Sequence, residues 1–162
     1  MQINKKVILL GLFGVGKTSL IKRFVHQKFD EHYLTTIGVK VDKKVLDIHG
    51  VQLCMLIWDI AGESSQQKVP NSYKLGANGI LYVFDVTRPA SYEQIHDELN
   101  ALSEILPNVP IQVVANKIDL LDEKSVDKLQ NKLGLTSIIR TSAKTGDGVE
   151  EAFEQLGKAI LQ

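Results

Sequence analysis

The chain has 162 residues, 44% of them hydrophobic and 23% charged, with 19 basic and 19 acidic side chains. That length and balance fit one soluble globular domain, residues 1–162, able to bury about two-thirds of its unfolded surface. Zero formal charge leaves no electrostatic footprint for nucleic acid or an acidic membrane, and a single cysteine, Cys54, excludes an intrachain disulfide.

No apolar run reaches membrane-spanning length. Lys5-Lys6 followed by Val7–Phe13 loosely imitates a secretory leader, but Gly11 breaks the run and no small-residue cleavage site follows. Gln2 excludes N-myristoylation, and the last residues hold no cysteine to prenylate. A cytoplasmic protein without a lipid anchor is expected.

In chain order, residues 3–10 read as a buried strand and about 16–26 as a helix. Gln27–Thr36 is polar and lacks apolar periodicity, which predicts a loop. Gly38–Ile48 alternates imperfectly through Val39, Val41, Val45 and Ile48. His49-Gly50 then marks a turn before Val51–Trp58, so the two strands should form an antiparallel hairpin. Glu63–Gly76 predicts a polar loop leading into a short helix. Gly79–Asp85 is continuously apolar, as a strand covered on both faces should be. Pro89 should open a helix with Ile95, Leu99, Leu102 and Leu106 on its inner stripe. Strand Ile111–Ala115, helix Asp122–Leu133, strand Ser137–Thr141 and a helix with Val149, Ala152, Phe153, Leu156 and Ile160 inward complete the chain. Such alternation predicts a doubly wound α/β sheet with ligands at the carboxyl ends of its strands.

The most informative stretch is Gly11-Leu-Phe-Gly-Val-Gly-Lys-Thr18, which fits G-x-x-x-x-G-K-[ST] between a strand and a helix. Glycines let the backbone curl so that N–H groups across Phe13, Gly14, Val15, Gly16, Lys17, Thr18 and Ser19 point at phosphate oxygens. The start of the following helix adds its positive dipole end. Lys17 can bring charge to the terminal phosphates, and the Thr18 hydroxyl can ligate Mg²⁺. The bland alternative is a glycine-containing strand-to-helix turn.

Downstream, Trp58-Asp-Ile-Ala-Gly-Glu63 places Asp59 at a strand end, where it can hold Mg²⁺ directly or through water. Gly62 can offer its N–H to a terminal phosphate. Alone, D-x-x-G is equally the pattern of a turn. Asn116-Lys-Ile-Asp119 closes another strand. The Asp119 carboxylate can accept from guanine N1–H and its 2-amino group, whereas adenine would leave it unpaired. Asn116 can tie this loop to the phosphate loop while the stem of Lys117 lies against the base. A polar loop with an Asp near a helix start is the alternative. Thr141-Ser142-Ala143-Lys144 can complete the pocket, with the Ala143 N–H on the guanine 6-oxygen, though the tetrad alone is a weak signal.

In this order the motifs resemble the Ras superfamily of small GTPases, from Lys5 to Ile160. Thr36-Ile-Gly-Val39 and Trp58-Asp-Ile-Ala-Gly62 are most similar to its Rab-like branch. The resemblance implies a phosphate-loop NTPase fold: six mostly parallel strands, one antiparallel, with helices on both faces. It implies GTP and GDP as ligands, with Mg²⁺ held by Thr18 and Thr36 and supported by Asp59. Phe29 would stack edge-on at the guanine, Tyr33 would lie over the phosphates, and Gly62 would contact the γ-phosphate. Two switch segments, ordered by GTP, would be read by an effector protein, with an exchange factor and an activating protein as regulators of a monomer.

Two substitutions depart from that family's pattern. Glu63 stands where the family usually has the Gln that orients attacking water; a carboxylate can accept a proton from water but repels the γ-phosphate, so hydrolysis is expected to be slow, altered, or supported by Gln66 or Gln67. Phe13 occupies a loop place usually held by a small residue, where its ring should obstruct an arginine inserted by an activating protein. The first reading is therefore a Mg²⁺-dependent GTPase switch, with Lys17, Gly62 and Glu63 at the chemistry. The competing reading is a GTP-binding interaction module with little hydrolysis, working by nucleotide exchange or as a scaffold. An ATP-using phosphoryl transferase conflicts with Asn116–Asp119.

The histidines read as surface residues, His32 within the first switch segment. His26, His32, His49 and His96 lack metal-ligand spacing, and Cys54 reads as core packing.

Overall fold

A computed structural model describes residues 1–31, 38–60 and 69–162. Its strands are β1 (Gln2–Leu10), β2 (Val39–Ile48), β3 (Val51–Ile60), β4 (Gly79–Asp85), β5 (Ile111–Asn116) and β6 (Ile138–Arg140). Its α-helices are α1 (Lys17–His26), α2 (Asn71–Lys74), α3 (Ile95–Ile105), α4 (Glu123–Leu133) and α5 (Val149–Ile160). The strands form one six-stranded sheet in the order β2-β3-β1-β4-β5-β6. Among the described residues only the β2–β3 pairing is antiparallel. Sheet order reverses about β1, with β3 on one side and β4 on the other, which opens a crevice at the carboxyl ends.

The apolar runs of β1 and β4 divide residue by residue between two cores. Val7, Leu9, Leu81 and Val83 pack with Leu20, Ile21 and Phe24 of α1 and Phe153 and Leu156 of α5. Ile8, Leu10, Ile80, Tyr82 and Phe84 pack with Ile95 and Leu102 of α3, and Leu129 and Leu133 of α4 lie against them. Each strand side chain therefore meets a helix layer whichever way it points, and all of β4 is buried. The rings of Phe24 and Phe153 stack with centroids 4.0 Å apart, joining α1 to α5.

The hairpin closes at His49 and Gly50, both at positive φ, as a tight turn between right-twisted strands requires. On β2 the inward face carries Leu46 and Ile48, whereas Val41 and Val45 lie on the opposite face and are 49% and 41% exposed. Val39, on the face of Val41 and Val45, packs at the edge of the second core, so that face is buried only at its start. Pro89 opens only a 3-10 turn, Pro89–Ser91, and α3 starts at Ile95. The Ser91 hydroxyl accepts from the Asp85 N–H and donates to a nearby carbonyl, which closes the turn on β4. Leu106 caps α3 rather than extending it.

α4 starts with a local cap: Asp122 accepts from the Ser125 N–H at 2.7 Å and from the Ser125 hydroxyl at 3.0 Å. The backbone bond from Ser125, with its side-chain bond next, holds the Asp122 carboxyl below its ordinary value. A folded-state value below the unfolded one contributes stability above the unfolded value, and that contribution is lost as pH falls through the folded one. Asp122→Ala is expected to lower the thermal midpoint at neutral pH, and the gap from wild type should close in acid below the carboxylate range. Melting curves across pH check this; a gap independent of pH would contradict the charged cap.

Candidate functional site

The loop between β1 and α1 is shaped by contacts that only small residues allow. A Cβ on Gly16 would stand 2.3 Å from Asn116 Nδ2, and Gly16 sits at φ 104°. Any side chain there would displace Asn116 and strain the backbone. Around this loop the carbonyls are each engaged by a side chain. Buried Lys17 donates Nζ to Gly11 O at 2.8 Å and Leu12 O at 3.1 Å. Arg88 Nη1 donates to Phe13 O at 2.7 Å, Lys117 Nζ to Gly14 O at 2.9 Å, and Asn116 Nδ2 to Val15 O at 3.0 Å.

Thr18 and Asp59 meet at the mouth of this loop, the Thr18 hydroxyl donating to Asp59 Oδ2 at 2.7 Å. Asp59 is buried, and its Oδ1 has no hydrogen-bond partner among the described residues. Burial is the main influence on this carboxyl and pushes it above its ordinary value, against the Thr18 bond and the Lys17 charge. An orphaned carboxylate oxygen beside a hydroxyl suits a hard cation such as Mg²⁺, so these residues fit that ion. Ser19 lies farther along, on the wall of the neighbouring cavity.

That cavity, of about 340 Å³, is lined by Gly14, Phe29, Lys117, Asp119 and Ala143 among others. Asn116, fully enclosed at the end of β5, also accepts from the Thr141 hydroxyl at 3.0 Å and so ties three loops together. Lys117 adopts φ 66° and places its ammonium 2.9 Å from the buried carboxylate of Asp85. Thr87 supports that carboxylate from its N–H at 2.8 Å and its hydroxyl at 2.6 Å. Ser142 donates to Asp119 Oδ1 at 2.7 Å, which orients the carboxylate on the cavity wall. Lys144 lines the same wall.

The sequence-predicted residues Phe13, Gly14, Val15, Gly16, Lys17, Thr18, Ser19, Phe29, Asp59, Asn116, Lys117, Asp119, Ser142, Ala143 and Lys144 all lie on the loop-and-cavity system described. Tyr33, Thr36, Gly62 and Glu63 lie outside the described residues, as do His32, Gln66 and Gln67. Sequence reasoning missed Asp85, Arg88 and Arg23, whose contacts join residues far apart in the chain. Asp85 alone left a trace: a carboxylate ending an otherwise apolar strand. Cys54 is buried, His26 lies 3.4 Å from Asp42, and His96 contacts Leu133 O, so none of these joins the site.

A phosphate-cradling loop, a hydroxyl–carboxylate pair and a base-sized cavity on one sheet edge define a phosphate-loop nucleotide site. The sequence profile of the Ras family matches residues 6–162, and the chain belongs to that family. Within it the chain is a Rab-like small GTPase. It is 36% identical over 161 residues to bovine Ras-related protein Rab-13, an alignment covering 96% of this chain and 79% of that protein. It is likewise 36% identical over 162 residues to Rab-4 of Dictyostelium discoideum, covering 96% and 78%. To the Ypt/Rab-type GTPase YPT7 of Saccharomyces cerevisiae it is 36% identical over 169 residues, covering 97% and 81%. Among the described residues no helix is long and apolar enough to cross a membrane.

Asp85→Asn would set an amide against the Lys117 ammonium and loosen the strut between base loop and phosphate loop. GDP release is expected to quicken roughly ten-fold, about 1.4 kcal/mol. Stopped-flow displacement of a fluorescent GDP analogue measures it; an unchanged rate would mean the Gly14 carbonyl alone holds Lys117.

Proposed function

We propose that this chain is a cytoplasmic, monomeric molecular switch that binds GTP and GDP with Mg²⁺ and hydrolyses GTP slowly. The observation that carries the reading is convergence: Lys17, Thr18 and Asp59 on one side, Asn116, Lys117 and Asp119 on the other, joined by hydrogen bonds between their loops. Loop N–H groups and Lys17 would bind the phosphates, and Lys17 would stabilise charge that develops as the terminal bond breaks. Asp119 would read guanine through N1–H and the 2-amino group, with Phe29 at the ring. Thr18 and Thr36 would hold Mg²⁺ with support from Asp59. The ion, when bound, neutralises phosphate charge. Tyr33 and Gly62 would act on the phosphates from the two switch segments, which an effector protein would read. An exchange factor and an activating protein would set the ratio of the two forms.

Phe13 and Glu63 favour a second reading, a GTP-binding module with negligible turnover. The Phe13 side chain is 39% exposed beside the loop, where an incoming arginine would have to pass. Glu63 can accept a proton from water, yet its charge opposes that of the terminal phosphate.

Single-turnover loss of bound GTP with Mg²⁺ separates the readings. Slow phosphate release by wild type, raised about ten-fold or more by Glu63→Gln, is expected if a positioned water is the limiting element. Retention of GTP by wild type would establish the binding module instead. Asp119→Asn exchanges an acceptor for a donor, so preference should move from guanine toward xanthine, which carries an acceptor at position 2. Loss of guanine affinity by about 10⁴-fold is expected; competition binding with GDP and XDP checks it, and unaltered guanine preference would remove Asp119 from base recognition.

A further inference from the structure

Helix α1 begins at the phosphate loop, and near its other end Arg23 crosses to the loop that follows β6. Arg23 Nε donates to Ala143 O at 2.8 Å, and Nη2 donates to Lys144 O. A guanidinium presents its donors in one rigid plane, so the two carbonyls it holds are fixed relative to each other more tightly than by the rotatable donors of an ammonium. Elsewhere in that loop the N–H groups are spent internally. Ser142 N donates to Asp147 O, Thr145 N to Ser142 Oγ, Gly146 N to Ser142 O, and Asp147 N to Thr145 Oγ1. Among the described residues the N–H groups of Ala143 and Lys144 donate to nothing. Both residues line the 340 Å³ cavity, and Ala143 is buried.

Peptide planarity links these facts. Carbonyl and N–H of one trans peptide point in opposite directions, so fixing Ala143 O on Arg23 turns the Lys144 N–H away from α1. The carbonyl of Ser142, bound to Gly146 N, sets the Ala143 N–H in the same manner. Two uncommitted donors on a cavity wall suit one strong acceptor. We infer that Arg23 is a positioning residue for base specificity: it holds the 143–144 peptide so that the Lys144 N–H, beside the Ala143 N–H, meets the 6-oxygen of a purine nucleotide. The inference rests on the guanine-nucleotide reading above and adds to it a residue outside the motifs. One helix then serves both ends of the ligand, Lys17 and Thr18 toward the phosphates and Arg23 behind the base loop.

The test compares three diphosphates on wild type, Arg23→Ala and Arg23→Lys. GDP carries both the 6-oxygen and the 2-amino group. IDP keeps the 6-oxygen but lacks the 2-amino group, and 6-thio-GDP keeps the Asp119 contacts but replaces the oxygen with a weakly accepting sulfur. Arg23→Ala is expected to lower the preference for GDP over 6-thio-GDP by roughly five-fold, the scale of one or two hydrogen bonds. The preference for GDP over IDP should stay at the wild-type value, and Arg23→Lys should recover only part of the loss. Ratios taken within one variant do not depend on the fraction folded. An unchanged GDP to 6-thio-GDP ratio, or collapse of both ratios together, would overturn the assignment. Wild type that binds none of the three would instead overturn the nucleotide reading itself.

Discussion

A chain that gathers backbone N–H groups around an anion must put the matching carbonyls somewhere, and here that requirement organises the carboxyl edge of the sheet. Each carbonyl from Gly11 to Val15 accepts from a side chain: Lys17 takes the first two, Arg88 the third, Lys117 the fourth and Asn116 the fifth. Left unpaired, a buried carbonyl costs about 1–3 kcal/mol. Left free to turn inward, it would also set negative charge beside a phosphate. Four of these five bonds come from cationic donors, so the loop is surrounded by positive charge before any ligand arrives.

The base site follows from the same bonds. Asn116 and Lys117 reach the phosphate loop from the end of β5, and the left-handed backbone at Lys117 lets the chain turn so that Asp119 reaches the cavity wall. Asp85, at the end of β4, pairs with the Lys117 ammonium and is itself braced by Thr87. Thr141, entering from β6, completes the connection through Asn116. Successive strand ends thus each contribute one polar group to a shared network. A displacement in one loop is felt in the others, since a buried polar group cannot lose its partner cheaply.

Where the chemistry resided in runs of adjacent residues, it was legible in the sequence. Gly11–Thr18 announces its strand, curl and helix, and Asn116–Asp119 announces a carboxylate poised after a buried strand. The residues that escaped reading are those that bind backbone. Arg23 meets its acceptors across 120 positions and Arg88 across 75, and a carbonyl looks the same beneath every side chain. Proline at 89 promised a helix because it suits a first turn, but the Ser91 hydroxyl closed a shorter one against Asp85. On β2 the imperfect alternation left the buried face open. Apolar alternation shows which face could be buried, and only the placing of helices decides which face is.

The polar groups at this edge are largely committed to one another. Lys17, Thr18, Asn116 and Lys117, at a strand end or on α1 or next to them, are already hydrogen-bonded across their loops, so these groups need little ordering when a ligand enters. Asp59 stands apart from its neighbours in this network. It ends the buried course of β3, bonds the Thr18 hydroxyl with one oxygen, and keeps the other unpartnered in a buried setting. A carboxylate so placed is unfavourable on its own, and its burial becomes intelligible when a cation beside the terminal phosphates supplies the missing partner.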